Sequence, residues 1–326
     1  MSPFRRSFIP LLAVAGLSAG TASAQDTYPS RPVRIVVTLS AGSQVDILAR
    51  LVGEKLGQSL GQPVIVENRP GAGGTLAAAF VAAAAPDGYT LLMTANGHAI
   101  NPALYDKLRF DTAKDFRGVS LVAVVPSVLV TSPSVPARNV SELISLLKAN
   151  PGKYNYASPG VGSAGHMATE LFNLDAKVEA THVPYKGTPE ALTDLMGDNV
   201  QYFFAPLGAT LPLVNTGKVK ALAVSTTARS AALPNTPTVA ESGLPGFQYD
   251  FWYGLVAPAA TPKPIIDRLA SDIQKALQSQ DVKEKLAAQG AAPSSLTDTK
   301  FDQFLRSEIK KSAELVRISG AANALK

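Results

Sequence analysis

Ser163 and His166 stand three residues apart at the start of a helical stretch, "AGHMATELFNL", a spacing that can put a hydroxyl beside an imidazole. Such a pair could act as nucleophile and base in a secreted serine hydrolase or esterase. The surroundings do not complete that machinery. Two serines have Gly at both i−2 and i+2, but Ser18 lies in the apolar N-terminal run and Ser59 at the end of a helical stretch, so neither sits on the strand-to-helix turn of a nucleophile elbow. The three histidines, His98, His166 and His182, form no HExxH pattern and no cluster with metal-ligand spacing. The candidate loops hold no carboxylate pair for acid–base work. The sequence predicts no catalytic residue, no metal ligand and no cofactor.

The glycine-rich turns suggest a different chemistry. Gly160-Val-Gly162-Ser-Ala-Gly165 is a literal G-x-G-x-x-G between a strand and a helix. A dinucleotide site also needs an acid at the carboxyl end of the next strand, about 20 residues on. Here the nearest acid, Glu179, falls at that strand's beginning. What remains is an anion cradle: backbone N–H groups near Gly162 and Ser163, with the hydroxyls of Ser158 and Ser163, at a helix N-terminus. A carboxylate fits it as well as a phosphate. "TLSAGSQVD" offers Ser40, Ala41, Gly42 and Ser43 to the same cleft. "TANGH" offers Thr94 and His98, although His98 could equally bond a neighbouring carbonyl. "NRPGAGGT" continues from Gly74 into Thr75 and Leu76 instead of the Lys-Ser/Thr pair of a P-loop, and reads as a tight structural turn at the cleft edge.

These loops need a scaffold. "VRIVVTL" is a continuous β-branched run, as in a strand buried on both faces. Ser43 and Asp46 read as a capping box for a helix reaching about Leu60. "PVIVEN", "TLAAAFVAAAA" and "YTLLMT" complete a βαβαβ set with an expected parallel sheet. "LVAVVPSVLVTS" is long enough for one strand crossing into a second lobe. That lobe alternates helix and strand through "NVSELISLLKAN", "YNYAS", "ATHVPY", "TPEALTDLMG" and "VQYFFAP" to a return strand, "VKALAVST". "WYGLVAP" and three helical stretches close the chain. The expected division is residues 25–122 with 228–326 in one lobe and 123–227 in the other. The ligand would lie between them, at the strands' carboxyl ends.

Residues 1–24 read as an export signal: Arg5 and Arg6, an apolar run, then Ala22-Ser23-Ala24 before cleavage. The Arg pair also has a twin-arginine look. The net charge of +5 includes those two arginines, and no run of five Lys/Arg occurs, so nucleic acid is not an expected partner. With no cysteine and 46% hydrophobic residues, the chain relies on a core rather than disulfides. The periplasm is the expected compartment.

The order of "YPSRPVRIVV", "ENRPGAGGT", "APDGYTLL", "NPALYDKLRFDTAKDF", "YASPGVGSAGH", "HVPYKGTPEALTDL", "KALAVSTTARSAALPNTPTVAESGLPGF" and "FWYGLVAPAATPKPII" resembles the Bug family. These TctC-like proteins are periplasmic solute-binding receptors of tripartite tricarboxylate transporters. The resemblance implies an α/β, two-lobed type II periplasmic binding protein fold. It also implies a small organic acid ligand held by amides, hydroxyls and water rather than a buried Arg, and membrane permease subunits as partners. A monomer is expected. Two departures stand out. The family's first loop, roughly "PFPPGGxxD", is here "TLSAGSQVD". Many members carry an acid where this chain has Ala205, and its loss disfavours amino acids. Phe203, Phe204 and Tyr185 leave an aromatic ligand body open.

Overall fold

The computed structural model describes residues 28–322, so the leader assigned to residues 1–24 lies outside the described residues. In chain order the elements begin with β1 (Val33–Val37), α1 (Gln44–Leu60), β2 (Val64–Asn68), α2 (Thr75–Ala82), β3 (Thr90–Ala95), α3 (Gly97–Leu104) and β4 (Phe116–Val125). The second group is β5 (Ser127–Thr131), α4 (Val140–Ala149), β6 (Asn155–Ser158), α5 (Ala164–Ala176), β7 (Thr181–Pro184), α6 (Thr188–Met196), β8 (Tyr202–Pro206), α7 (Leu207–Asn215) and β9 (Lys220–Val224). The chain ends with β10 (Phe251–Pro258), α8 (Lys263–Gln278), α9 (Gln280–Ala287), β11 (Ala292–Pro293) and α10 (Asp298–Ser319).

Two sheets result, in the orders β11-β4-β10-β3-β1-β2 and β7-β6-β8-β5-β9. β1, β2 and β3 are parallel, as are β6, β7 and β8. β10 runs antiparallel between β3 and β4, and β5 runs antiparallel between β8 and β9. Helices cover both faces of each sheet. Val33, Ile35, Val36 and Val37 are therefore all fully buried, which explains a continuous apolar run without alternation.

The run expected as one crossing strand is two. Pro126 has no N–H to donate to a ladder, and it separates β4 in the first sheet from β5 in the second. The return crossing comes after Tyr249, whose N–H still donates to the Ser225 carbonyl of the second lobe at 3.0 Å. At Phe251 the chain enters β10. Asn96 staples this crossing: its Nδ2 donates to the Asp250 carbonyl and its Oδ1 accepts from the Trp252 N–H, both at 3.0 Å.

Two helices escape sequence reading. α3 and α7 carry Pro102 and Pro212 inside them, and α7 opens directly after Pro206. Prolines at these positions mask a helical pattern that packing nonetheless enforces.

The capping box at α1 is also rewired. Ser43 sits at the N-cap, but its hydroxyl makes no capping bond. Instead Ser43 Oγ accepts from the Thr188 N–H at 3.3 Å, across to the other lobe. Asp46 reaches back one residue further than expected, accepting from the Gly42 N–H at 2.9 Å. Burial raises the Asp46 pKa, but Arg50, Gly42 and Asn68 outweigh it and hold the carboxyl below the usual range.

Candidate functional site

The carboxyl ends of the parallel strands in both sheets point at one cavity of about 40 Å³ between the lobes, enough for a few water-sized groups. Its wall is made of helix beginnings. At α1, Asp46 and Ile47 both donate to the Ser43 carbonyl, which leaves the Gln44 and Val45 N–H groups without a helical acceptor. At α3, Ala99 and Ile100 donate to Asn96, leaving Gly97 and His98 in the same state. At α5 the Ser163 hydroxyl accepts from the His166 N–H at 3.2 Å, leaving Ala164 and Gly165. All six of these residues line the cavity. α6 adds Thr188, and Pro206 adds the approach to α7.

Each helix start carries roughly half a positive elementary charge. Among the described residues, no Asp, Glu, Lys or Arg lines the cavity. His98 supplies no charge either, because burial holds its pKa down to about 3. The electrostatics are thus those of aligned peptide dipoles in a pocket without charged side chains. They suit an anion small enough to be enclosed.

The expected site residues fall into three groups. Thr94, His98 and Ser163 line the cavity. Ser40, Ala41, Gly42 and Ser43 form the rim beside it, where the lobes meet: Ser40 Oγ donates to Glu190 Oε2 at 2.9 Å, and the Ser40 N–H donates to the Lys186 carbonyl at 3.3 Å. The rest stand behind the wall. Ser158 Oγ is taken up by Gly160 and by His182 Nε2, the latter at 2.6 Å. The Gly162 N–H donates to His166 Nδ1 at 3.2 Å. Ala205 is buried in β8, one residue short of the cavity-lining Pro206.

Phe203 and Phe204 are fully buried on the two faces of β8 and reach no ligand space. Phe204 packs against Phe172 and Phe247, and the Tyr185 hydroxyl is bonded to Asp194 at 2.6 Å. The aromatic rings lining the cavity are instead those of Phe251 and Tyr253. Sequence reasoning also missed Gln44, Asn101 and Thr188. Gln44 sits in the first helical turn after the Ser40–Ser43 loop already singled out, and that position is the only signal that could have found it; Thr188 opens α6, a helix start that sequence reasoning does not place in the cleft.

The Ser163–His166 dyad is not formed. The Ser163 hydroxyl accepts from the backbone of His166, while the ring's Nδ1 is occupied by Gly162. The ring's other nitrogen faces Glu170 at 4.0 Å.

Two lobes, two crossings and an uncharged cleft rimmed by helix starts define a solute-binding receptor of the periplasmic binding protein class. The chain belongs to the tripartite tricarboxylate transporter family receptors, TctC, whose pattern matches residues 48–320. It is 38% identical to protein BugT of Bordetella pertussis over 95% of this chain and 98% of that one. It resembles the R. palustris protein Rpa4515, solved with adipate, at 35% identity and a TM-score of 0.87, covering 90% of this chain and 98% of the other. MatC of Rhodopseudomonas palustris, solved with malate, is 36% identical with a TM-score of 0.84, covering 89% and 100%. The family is one of receptors, so the hydrolase alternative falls.

Proposed function

We propose that this receptor captures a small carboxylate in the periplasm and hands it, as a monomer, to the membrane permease subunits of a tripartite transporter. The observation that carries the reading is the convergence of three pairs of free helix amides on one uncharged cavity. A carboxylate has only acceptor oxygens and matches such donors without a buried Arg. Adipate and malate, found in two related structures, are both dicarboxylates. Among the described residues no helix is long and apolar enough to cross a membrane.

The lobe division at 25–122 with 228–326, and 123–227, belongs to the same reading. The bond from Tyr249 to Ser225 favours moving the second boundary to about Asp250. Rim bonds between lobes, such as Ser43 to Thr188, support hinged closure over the ligand.

Mass spectrometry of small molecules released by denaturing the purified protein tests the ligand class. A carboxylic acid is expected; an amino acid, a nucleotide or a sugar overturns the reading.

A further inference from the structure

We infer that Tyr253 is a specificity-determining residue: its phenol hydroxyl bonds a second oxygen function on the ligand, and so favours carboxylates that carry one over those whose remainder is hydrocarbon. This deepens, and rests on, the carboxylate reading above.

β10 runs antiparallel to β3, so its first residues lie at the carboxyl end of β3, where the ligand cleft is. Tyr253 pairs there with Ala95, and the Trp252 N–H before it is held by Asn96. Backbone placement is thus fixed from both neighbours. The side chain is 3% exposed and lines the cavity. Buried tyrosines usually give their hydroxyl a partner. Tyr156 bonds Glu170, Tyr185 bonds Asp194 and Tyr202 bonds Asn173. The Tyr253 hydroxyl has no partner among the described residues. Nor is it sealed: the wall's polar atoms that are both closed off and unpaired are Gln44 Oε1, His98 Nε2, Asn101 Oδ1 and Thr188 Oγ1. Thr38 and Thr94 also bring hydroxyls to the cavity. A threonine hydroxyl can turn to nearby backbone, whereas a phenol oxygen at the end of a rigid ring cannot.

The ligand's carboxylate does not need this group. Its two oxygens offer about four lone-pair sites, and three pairs of helix amides already surround them. The phenol therefore faces the rest of the ligand. Burial pushes its pKa above the ordinary value of 10, so it stays a neutral hydroxyl with one proton to donate and lone pairs to accept. A hydrocarbon remainder would strip it of water and return no bond. A hydroxyl, a carbonyl or a second carboxylate on the ligand restores the bond.

Calorimetric titration of the natural protein and of Tyr253→Phe, with propionate against lactate and butyrate against succinate, measures the coupling between the phenol oxygen and the ligand's second oxygen function. In at least one pair the natural protein should prefer the oxygenated acid. Tyr253→Phe should cut that preference about fivefold to 100-fold, by weakening the oxygenated member and leaving the plain acid bound as tightly or more so. The unliganded variant should melt no lower than the natural protein, because the lost oxygen has no protein partner. A lower melting temperature would make the hydroxyl structural and overturn the inference. An unchanged preference would show that water serves the hydroxyl, and equal losses for plain and oxygenated acids would show that the residue only shapes the wall; either result overturns it too. These failures leave the carboxylate reading standing as long as the acids bind. A protein that binds none of the four sinks the function proposed above as well.

Discussion

Gly73 and Val161 come from opposite lobes and touch: a methyl group on Gly73 would overlap the Val161 carbonyl oxygen. Gly73 also adopts a φ of 61°, where side chains other than glycine are strained. The "NRPGAGGT" turn thus lets the first lobe close against the G-x-G-x-x-G loop of the second. Gly97 completes the contact, since a Cβ there would stand 3.1 Å from the carbonyls of both Gly73 and Gly162. Gly73→Ala should therefore obstruct the closed form. Affinity should drop by about tenfold or more, equivalent to about 1.4 kcal/mol. The strain at φ acts on open and closed forms alike and should appear as a small loss of unliganded stability. Titration calorimetry with thermal melting separates the two effects; full affinity in the variant would rule out a closure role.

Ser43 carries a second closure bond. In Ser43→Ala the buried Thr188 N–H loses its acceptor only when the lobes are shut. An unsatisfied buried donor costs about 1–3 kcal/mol, so affinity should fall roughly 5- to 150-fold. The hydroxyl makes no helix-cap bond, so resistance to denaturant should change little. Loss of stability with affinity intact would place Ser43 back in the role of a helix cap.

The loop before α5 depends on neutral histidines. His166 Nδ1 accepts from Gly162, and its ring stacks on that of His182 at 4.1 Å between centroids. Tyr156 and Glu170 close the same cluster. Burial holds the His166 pKa down from 6.5 to about 4. Burial and the proximity of His166 hold His182 down to about 3. The unfolded chain thus binds more protons across this range, so the stabilisation is full above about pH 6.5 and shrinks as pH falls toward about 4. His166 alone corresponds to a loss on the order of 3 kcal/mol. Glu170, pushed up by burial, titrates in the opposite sense. Denaturation midpoints between pH 7.5 and 4.5 should fall steeply in the natural protein and less in His166→Asn, which keeps an acceptor without titrating there. Parallel profiles would remove the histidine from this account.

Much of the scaffold was legible because its signals are local. Val33–Val37 is apolar at every position, and Pro86-Asp87-Gly88 ends a helical run, so β1, α2 and β3 could be placed from sequence. The C-terminal helices announced themselves by apolar spacing. What stayed hidden depends on direction in space. Ser43 and Ser158 have the hydroxyls that an anion site wants, yet one turns to Thr188 across the cleft and the other to His182 behind it. Phe203 and Phe204 alternate across a strand whose faces are both covered, so neither could reach a ligand. Gln44 is the converse: an unremarkable residue within "GSQVD" that becomes part of the wall because it opens α1.

The central claim is that helix amides, without any charged side chain, hold the ligand's carboxylate between the lobes. A high-resolution crystal structure of the receptor with its released and re-bound ligand measures this directly. The account predicts carboxylate oxygens about 3 Å from at least two N–H groups among Gln44, Val45, Gly97, His98, Ala164 and Gly165. A carboxylate seated outside this cavity, or paired with a Lys or Arg side chain, would contradict it.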